Sequence, residues 1–593
     1  MIRLATVRVE ARRVGDRLYL SSGHELEAPA RRLGDLLRSA AASAPDRTFL
    51  AERVGGELRR VSYAEALLAA EGVGERLSRD DVRDPILILS GNSVDHALLM
   101  LGAHLAGVPV APVSVAYSLM SRDHGKLKRI VAKLEPSLVY AERAEPFADA
   151  IAASGLGSVP LWIGGDEPRD GGTPLRSLFS LPGGEPAGEA LAERERVVGP
   201  DTVAKILFTS GSTGIPKGVP SRHGMLAANQ QQITQLWPFL DDEPPVLVDW
   251  LPWSHCFGGS HNFYMVLAHA GTMLVDEGKP APGLIDASLA NLRAMPPTVY
   301  FNVPAGFAAL LPRLEKDGVL RERFFERLRV VFYAGAALPD DLWQRLVRLA
   351  RDTTGQVPFM TTAWGSTETA PLATSAHFPL ERAGNIGVPA PGVQLKLVPN
   401  AGRLEVRVKG PNVMTGYLGE PELTAAAFDD EGFYRIGDAV RLADPLDPSK
   451  GLLFDGRVAE DFKLSTGTWV HVSGVRTGVL AETSPALSDL VVAGHDRPCL
   501  GVLAWPSAAN AGEEASASEL RDHLRASITR WNAEHPGSST RIARVLLMEE
   551  PASIDAGEIT DKGYVNQRAT LERRAASVMR LFADDPDEDV LVF

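Results

Sequence analysis

Cysteine is almost missing from this chain of 593 residues, in which Cys256 and Cys499 are the only two. That excludes a disulfide framework and any cysteine-rich zinc or iron–sulfur centre, and it suits a reducing, cytoplasmic setting. Positive charge is also in deficit: 61 Lys plus Arg stand against 75 Asp plus Glu, a formal net charge of −14. Binding to nucleic acid through bulk phosphate electrostatics is therefore not expected, and any phosphate ligand needs a local site. No apolar run reaches membrane-spanning length. The most apolar stretch, 97–113, contains His104 with Gly102, Gly107 and Pro109, and it reads as a buried helix followed by a strand. Charge breaks the first residues too often for a signal-peptide core, so secretion is not expected. Solenoid repeats and heptads are lacking as well.

What is present is a long chain with 45% apolar residues, 55 Gly and 42 Pro, enough for at least two globular domains. Between 33 and 113, helix-like segments alternate with short apolar runs such as Pro85-Ile86-Leu87-Ile88-Leu89, the pattern of βα units on a largely parallel sheet. Residues 164–199, rich in Gly, Pro and charge, read as a surface excursion. Val203 to Phe208 then reads as a strand, followed by a Gly/Ser/Thr loop and a helix with Met225, Leu226, Asn229, Ile233 and Leu236 in register. A second unit repeats this order: a strand at 328–333, the small-residue turn Ala334-Gly335-Ala336-Ala337, and a helix opening at Pro339 with Leu342, Leu346 and Leu349 on one face. After Ala390 the strict alternation of Arg403 to Lys409 marks a separate antiparallel β subdomain. The strand at 451–454 and the charged run 455–463 suggest a joint. The expected organisation is α/β: a large N-terminal domain (1–456) of βα-wound sheets plus the β subdomain, a hinge (457–462), and a small mobile α+β C-terminal domain (463–593). The last would carry an Ala/Ser/Glu-rich loop at 508–518 and an acidic tail at 584–589.

The strongest local signal is Phe208-Thr209-Ser210-Gly211-Ser212-Thr213-Gly214-Ile215-Pro216-Lys217-Gly218. Glycines let backbone N–H groups converge on an anion, the hydroxyls add donors, and Lys217 adds charge, so the loop suits a polyphosphate. A Walker-type loop would end in Gly-Lys-Ser/Thr, whereas Lys217 is followed by Gly218 and Val219. A flexible linker would not sit between regular elements with Ile215-Pro216-Lys217 at its end.

This loop resembles that of the adenylate-forming superfamily of acyl-CoA synthetases, luciferases and peptide-synthetase adenylation domains, and further motifs follow in the family's order. Trp364-Gly365-Ser366-Thr367-Glu368-Thr369 resembles the aromatic-Gly-x-Thr-Glu segment. The resemblance implies Trp364 near adenine, Thr367 near the α-phosphate and Glu368 as ligand of Mg²⁺, a hard cation served by a carboxylate and phosphate oxygens. Tyr434-Arg435-Ile436-Gly437-Asp438 resembles the segment whose Asp accepts from the ribose hydroxyls, with Ile436 in place of Thr. Gly456-Arg457 resembles the segment in which Arg also contacts ribose. The pivot two positions later, commonly Asp or Lys in relatives, is Ala459 here, beside Glu460 and Asp461. Gly557-Glu558-Ile559-Thr560-Asp561-Lys562-Gly563 stands where the family carries its mobile catalytic lysine, which implies Lys562. Thr209, Ser210, Gly211, Ser212, Thr213, Gly214 and Lys217 would hold the phosphates.

Four longer segments, Ala111 to Leu119, Phe332 to Leu338, Ser366 to Pro371 and Asp461 to Val470, resemble bacterial feruloyl-CoA synthetases, a resemblance that covers nearly the whole chain. The implied activity is ATP-dependent activation of a hydroxycinnamate-like acid as acyl-AMP, then transfer to coenzyme A with release of AMP and pyrophosphate. The alternative is the same fold serving another acceptor: a carrier protein, an amine or a small nitrogen nucleophile. His255, Tyr333, Gly335 and Ala336 are the candidates for the acid pocket. Trp253, Phe257, His261 and Phe263 could line a flat pocket or equally be ordinary core. The expected partners are the carboxylic acid, ATP and CoA, with Mg²⁺, without nucleic acid or membrane, and with a homodimer as the assembly allowed for.

Overall fold

The computed structural model describes residues 2–166, 168, 171–179, 188–210, 216–281, 283–400, 402–507, 514–559 and 565–593, without the side chains of 210 and 514–517. The βα units of the first half build a seven-stranded sheet in the order Pro216–Arg222, Val203–Ser210, Val110–Pro112, Ile86–Leu89, Leu138–Ala141, Leu161–Ile163 and Thr173–Pro174. Every neighbouring pair is parallel except the first. Ile86–Leu89 is apolar at every position because both faces are covered. One cover is the helix Val94–Ala106, buried along its whole length, opened by the Ser93 side chain accepting from the His96 N–H and closed by Gly107 in the left-handed conformation.

A second layer joins the parallel strands Val299–Asn302, Val330–Tyr333 and Phe359–Thr361 to the sheet Val246–Asp249, Thr272–Val275, Thr48–Val54 and Glu57–Ser62. Thr298 makes the join: its N–H donates to the Val246 carbonyl at 2.9 Å and its hydroxyl accepts from the Val246 N–H at 2.8 Å.

The antiparallel region has nine strands and does not begin at Ala390. It takes in Ala363–Gly365, Leu372–Ser375 and Asn385–Pro389, and also the N-terminal hairpin Val9–Val14 and Arg17–Ser22. Leu18 and Leu20 pair with Leu397 and Leu395 across almost the whole length of the large domain, which local patterning cannot reveal.

Other expectations are corrected. The phosphate-type loop does not lead directly into a helix: Pro216–Arg222 forms a strand antiparallel to Val203–Ser210, and only then does the helix His223–Leu236 begin. The 164–199 excursion contains the helix Glu189–Val197, anchored by buried Leu191, whose N–H donates to Glu75. The Ala/Ser/Glu-rich stretch becomes helix from Glu514, continuing to Glu534, while 508–513 lie outside the described residues. The acidic tail is bound: Arg580 pairs with Asp587 and Asp589, and Val590–Val592 adds a strand to the last sheet.

From Phe462 onward the chain has apolar clusters of its own, including Val475, Val479, Leu490, Leu524 and Ile542, beneath the sheet Leu487–Ala493, Leu500–Pro506, Ile542–Leu547 and Val590–Val592. The large and small α/β parts thus have separate cores. Among the described residues no helix is long and apolar enough to cross a membrane.

Candidate active site

The hairpin pairs Thr209 directly with Lys217 and Ser210 with Pro216, so both stems of the phosphate-type loop are held by sheet hydrogen bonding. Gly211, Ser212, Thr213 and Gly214 lie outside the described residues. Lys217 Nζ stands 5.4 Å over the ring of Tyr417. The Tyr417 hydroxyl donates to Glu368 Oε1 at 3.0 Å and lies 3.3 Å from the Tyr434 hydroxyl. Burial, with Glu368 beside it, holds the Tyr417 phenol well above its usual range, so it remains a donor at neutral pH.

Glu368 sits in a single 3-10 turn, Thr367–Thr369, directly after the strand Ala363–Gly365. Ser366 caps the turn reciprocally with Thr369. Only glycine fits at 365, because a Cβ there would come within 1.7 Å of the Pro371 carbonyl oxygen. The Glu368 carboxylate is buried, yet only Oε1 receives a side-chain hydrogen bond among the described residues. A hard divalent cation fits the other oxygen: Mg²⁺ takes one or two carboxylates and completes its shell with phosphate and water.

Asp438 lies in the strand Tyr434–Leu442 opposite Arg457. It accepts from the buried Trp364 indole N–H at 2.8 Å and pairs with Arg457 Nε at 2.9 Å. The Asp438 charge raises the Arg457 guanidinium further above its already high range. Trp364, Asp438 and Arg457 therefore meet, and Trp364 stands just before the turn that carries Thr367 and Glu368.

Next to Glu368, the Thr367 hydroxyl donates to Cys256 Sγ at 3.4 Å. Cys256 precedes a π-helical turn, Phe257–Asn262, whose Gly259 must lack a Cβ because one would meet the Trp253 carbonyl oxygen at 2.2 Å. His255 Nδ1 accepts from the Phe257 N–H at 3.2 Å. Phe257, His261, Phe301 and Phe332 gather with ring centroids 5.0–6.0 Å apart. Strand alternation puts Phe332 in this cluster and Tyr333, the expected acid-pocket residue, against Trp343 on the opposite face. Gly335, with φ of 85°, and Ala336 are exposed at the strand's end.

The joint is built from charge. Buried Arg403 pairs with Asp455 at 3.4 Å and Asp461 at 2.5 Å, and Asp461 also accepts from the Val472 N–H that opens the next helix. Burial pushes the Glu460 carboxyl up, while Arg457 and Arg476 pull it down. Lys562 lies outside the described residues, but the flanks of its segment are placed. Ile559 bridges Val565, the Val565 N–H donates to Asp489, and Asp555 accepts from the Ser121 hydroxyl and the Arg122 N–H of the large domain.

Sequence reasoning missed Tyr417 and Lys205. The first carries a signal, a tyrosine between glycines in Gly416-Tyr417-Leu418-Gly419; the second is a lysine buried inside a strand.

A large and a small α/β part, carrying the Thr209–Lys217 hairpin, the buried Glu368 and the Trp364–Asp438–Arg457 group, match the architecture of adenylate-forming enzymes. The chain belongs to the AMP-binding enzyme family, which matches residues 37–418, while the AMP-binding enzyme C-terminal domain matches 463–585. Within that family it groups with AMP-forming acid–CoA ligases. A 3-[(3aS,4S,7aS)-7a-methyl-1,5-dioxo-octahydro-1H-inden-4-yl]propanoyl:CoA ligase of Rhodococcus jostii is 26% identical over 411 residues, 66% of this chain and 76% of that one. The probable non-canonical nonribosomal peptide synthetase CymA of Salinispora arenicola is 30% identical over 573 residues, 93% of this chain but 6% of that one. ATP-bound MatB from Rhodopseudomonas palustris shares the fold with a TM-score of 0.68 and 23% identity, over 92% of this chain and 99% of that one.

Proposed function

We propose that the chain activates a ring-bearing carboxylic acid of hydroxycinnamate type, such as ferulate, as its acyl adenylate and hands the acyl group to coenzyme A. The observation that carries this reading is one continuous run of contacts: Lys217 over Tyr417, Tyr417 to Glu368, and Thr367, beside Glu368, to Cys256 of the acid-side turn. Groups suited to an α-phosphate thus adjoin groups suited to a carboxylate.

A carboxylate cannot acylate a thiol directly, because oxide is too poor a leaving group. In the proposed first step a carboxylate oxygen attacks the α-phosphorus of ATP and pyrophosphate departs in line. Negative charge then spreads over the phosphate oxygens, where Lys217, the Thr367 hydroxyl and Lys562 would stabilise it. Mg²⁺, held by Glu368, would supply a counter-charge to those oxygens. Trp364, Asp438 and Arg457 would seat adenine and ribose, with 457–462 as the pivot between domains 1–456 and 463–593. In the second step the CoA thiol attacks the acyl carbonyl and AMP leaves.

Support for a ring with a short acid chain comes from the hydroxycinnamate-type segments, from the Phe257–His261–Phe301–Phe332 cluster, and from the Rhodococcus enzyme, whose named acid is a propanoate on a fused ring. The likeness to CymA favours a second reading, transfer to a carrier-bound or amine acceptor.

Pyrophosphate release across benzoates, cinnamates and medium-chain acids, with and without CoA, tests both. Cinnamates should give pyrophosphate and AMP, and CoA should yield the thioester. Lys562→Ala should abolish adenylation yet spare thioester formation from supplied adenylate. ADP as product would overturn the reading, and adenylate that CoA fails to discharge would favour the other acceptor.

A further inference from the structure

Lys205 is fully buried in the strand that leads into the phosphate-type loop. Its Nζ donates to the Gly259 carbonyl at 2.6 Å and stands 5.1 Å from the centroid of the Tyr264 ring. No carboxylate forms an ion pair with it among the described residues, and Cys256 is the ionisable neighbour that favours its charge. An ammonium withdrawn from water with so little compensation opposes folding. It stands where three segments of the site converge: its own strand runs to Thr209, Gly259 belongs to the acid-side turn, and Cys256 of that turn receives the Thr367 hydroxyl.

We propose that Lys205 is a positioning residue for adenylation, its ammonium fixing the His255–Gly259 turn and, through Cys256, the Thr367 hydroxyl, while placing positive charge behind the reacting phosphate. This rests on the adenylation reading above. A charge in a water-poor interior acts over several ångströms, because the surroundings cannot screen it as water does.

Burial draws the Lys205 ammonium down to about 7, so the charge is present below that pH and lost above it. Two imidazoles of the helix Val94–Ala106, His96 and His104, feel its charge, and His223 lies against His104. None of the three titrates there: burial holds His96 and His223 at about 4 and His104 well below its usual value. Burial raises the Tyr264 phenol far out of reach. Asp249, in the neighbouring sheet, does titrate at about 7, so the variant below must tell the two apart.

The test is ATP–pyrophosphate exchange from about pH 5.5 to 9 on the full chain and on Lys205→Met and Lys205→Arg. Exchange by the unaltered chain comes first, and its absence would overturn the adenylation reading itself. Given exchange, its rate should fall as pH rises through about 7. Lys205→Met should lower kcat for exchange about tenfold, with KM for ATP within about threefold, and should erase the alkaline limb. Lys205→Arg should recover part of the rate and push the limb beyond the range. Neither should slow thioester formation from supplied adenylate, and Lys205→Met should melt no lower than the unaltered chain. An alkaline limb that persists in Lys205→Met would assign it to another group, Asp249 or Cys256, and overturn the proposal. So would a lowered melting temperature with equal loss of both half-reactions, which marks a structural lysine.

Discussion

Asp438→Asn replaces one oxygen with an amide nitrogen and keeps the side chain's volume. Both carboxylate oxygens are engaged in the structure, Oδ2 by the Trp364 indole N–H at 2.8 Å and Oδ1 by Arg457 at 2.9 Å. Asparagine has one acceptor oxygen and two N–H donors, so one of those contacts becomes donor against donor, and only one lone-pair face remains for a ribose hydroxyl. A hydrogen bond to a charged group contributes about 1.5–3 kcal/mol. The Arg457 side chain is 54% exposed, so its pairing with Asp438 adds less than about 1 kcal/mol. Most of the loss therefore falls on the nucleotide, and at about 1.4 kcal/mol per decade the KM for ATP should rise about 10- to 150-fold. Ribose is gripped alike before and during transfer, so kcat at saturating ATP should change by less than about threefold. Initial rates of pyrophosphate release against ATP concentration give both constants. A tenfold or greater drop in kcat with an unchanged KM would place Asp438 at the reacting phosphate and refute the reasoning; no change in either would remove the nucleoside from this pocket.

Tyr417→Phe keeps the ring beneath Lys217 but deletes the hydrogen bond to Glu368 Oε1; adenylation should slow about tenfold, and Tyr417→Leu, which also removes the ring, should slow it further. Equal rates for the two variants would show that the hydroxyl alone matters. For stability, burial alone would push the Asp429 carboxyl up, but the Phe433 N–H, Lys396 and Arg407 outweigh it and hold the group at about 2. A lowered folded value means stabilisation that is complete above the unfolded value near 4 and lost as pH falls toward 2, about 2 kcal/mol in all. Urea unfolding should therefore show Asp429→Asn less stable at neutral pH, with the gap closing in acid, and a gap independent of pH would disprove the linkage.

Patterns that live within a dozen residues were legible from the amino-acid order. Val203 to Phe208 reads as a strand because Lys205 alone interrupts a short apolar run, and Pro339 precedes a helix whose Leu342 and Leu346 are buried. Contacts between distant segments were not. Nothing near Leu18 announces its pairing with Leu397, and nothing near Pro216 says that Lys217 will face Thr209 across a hairpin rather than open a helix. The Phe332–Tyr333 pair was readable as strand but not as faces, since a strand with both faces covered has no polar side to set the phase.

Lys205 shows why the remainder of the site stayed hidden. Inside Val203-Ala204-Lys205-Ile206-Leu207-Phe208 a lysine reads as the solvent-facing member of a strand, because charged side chains are seldom fully buried. It becomes informative only when the carbonyl of Gly259, more than fifty residues on, is found accepting a hydrogen bond from it. The motif segments mark the chemistry that meets the nucleotide, whereas the groups that hold those segments against one another come from places with no motif at all. Specificity for the acid should follow the same rule. The rings of Phe257, His261, Phe301 and Phe332 come from three separate elements and converge only in the folded chain, so substitutions there should change which acid is accepted while leaving the KM for ATP nearly untouched.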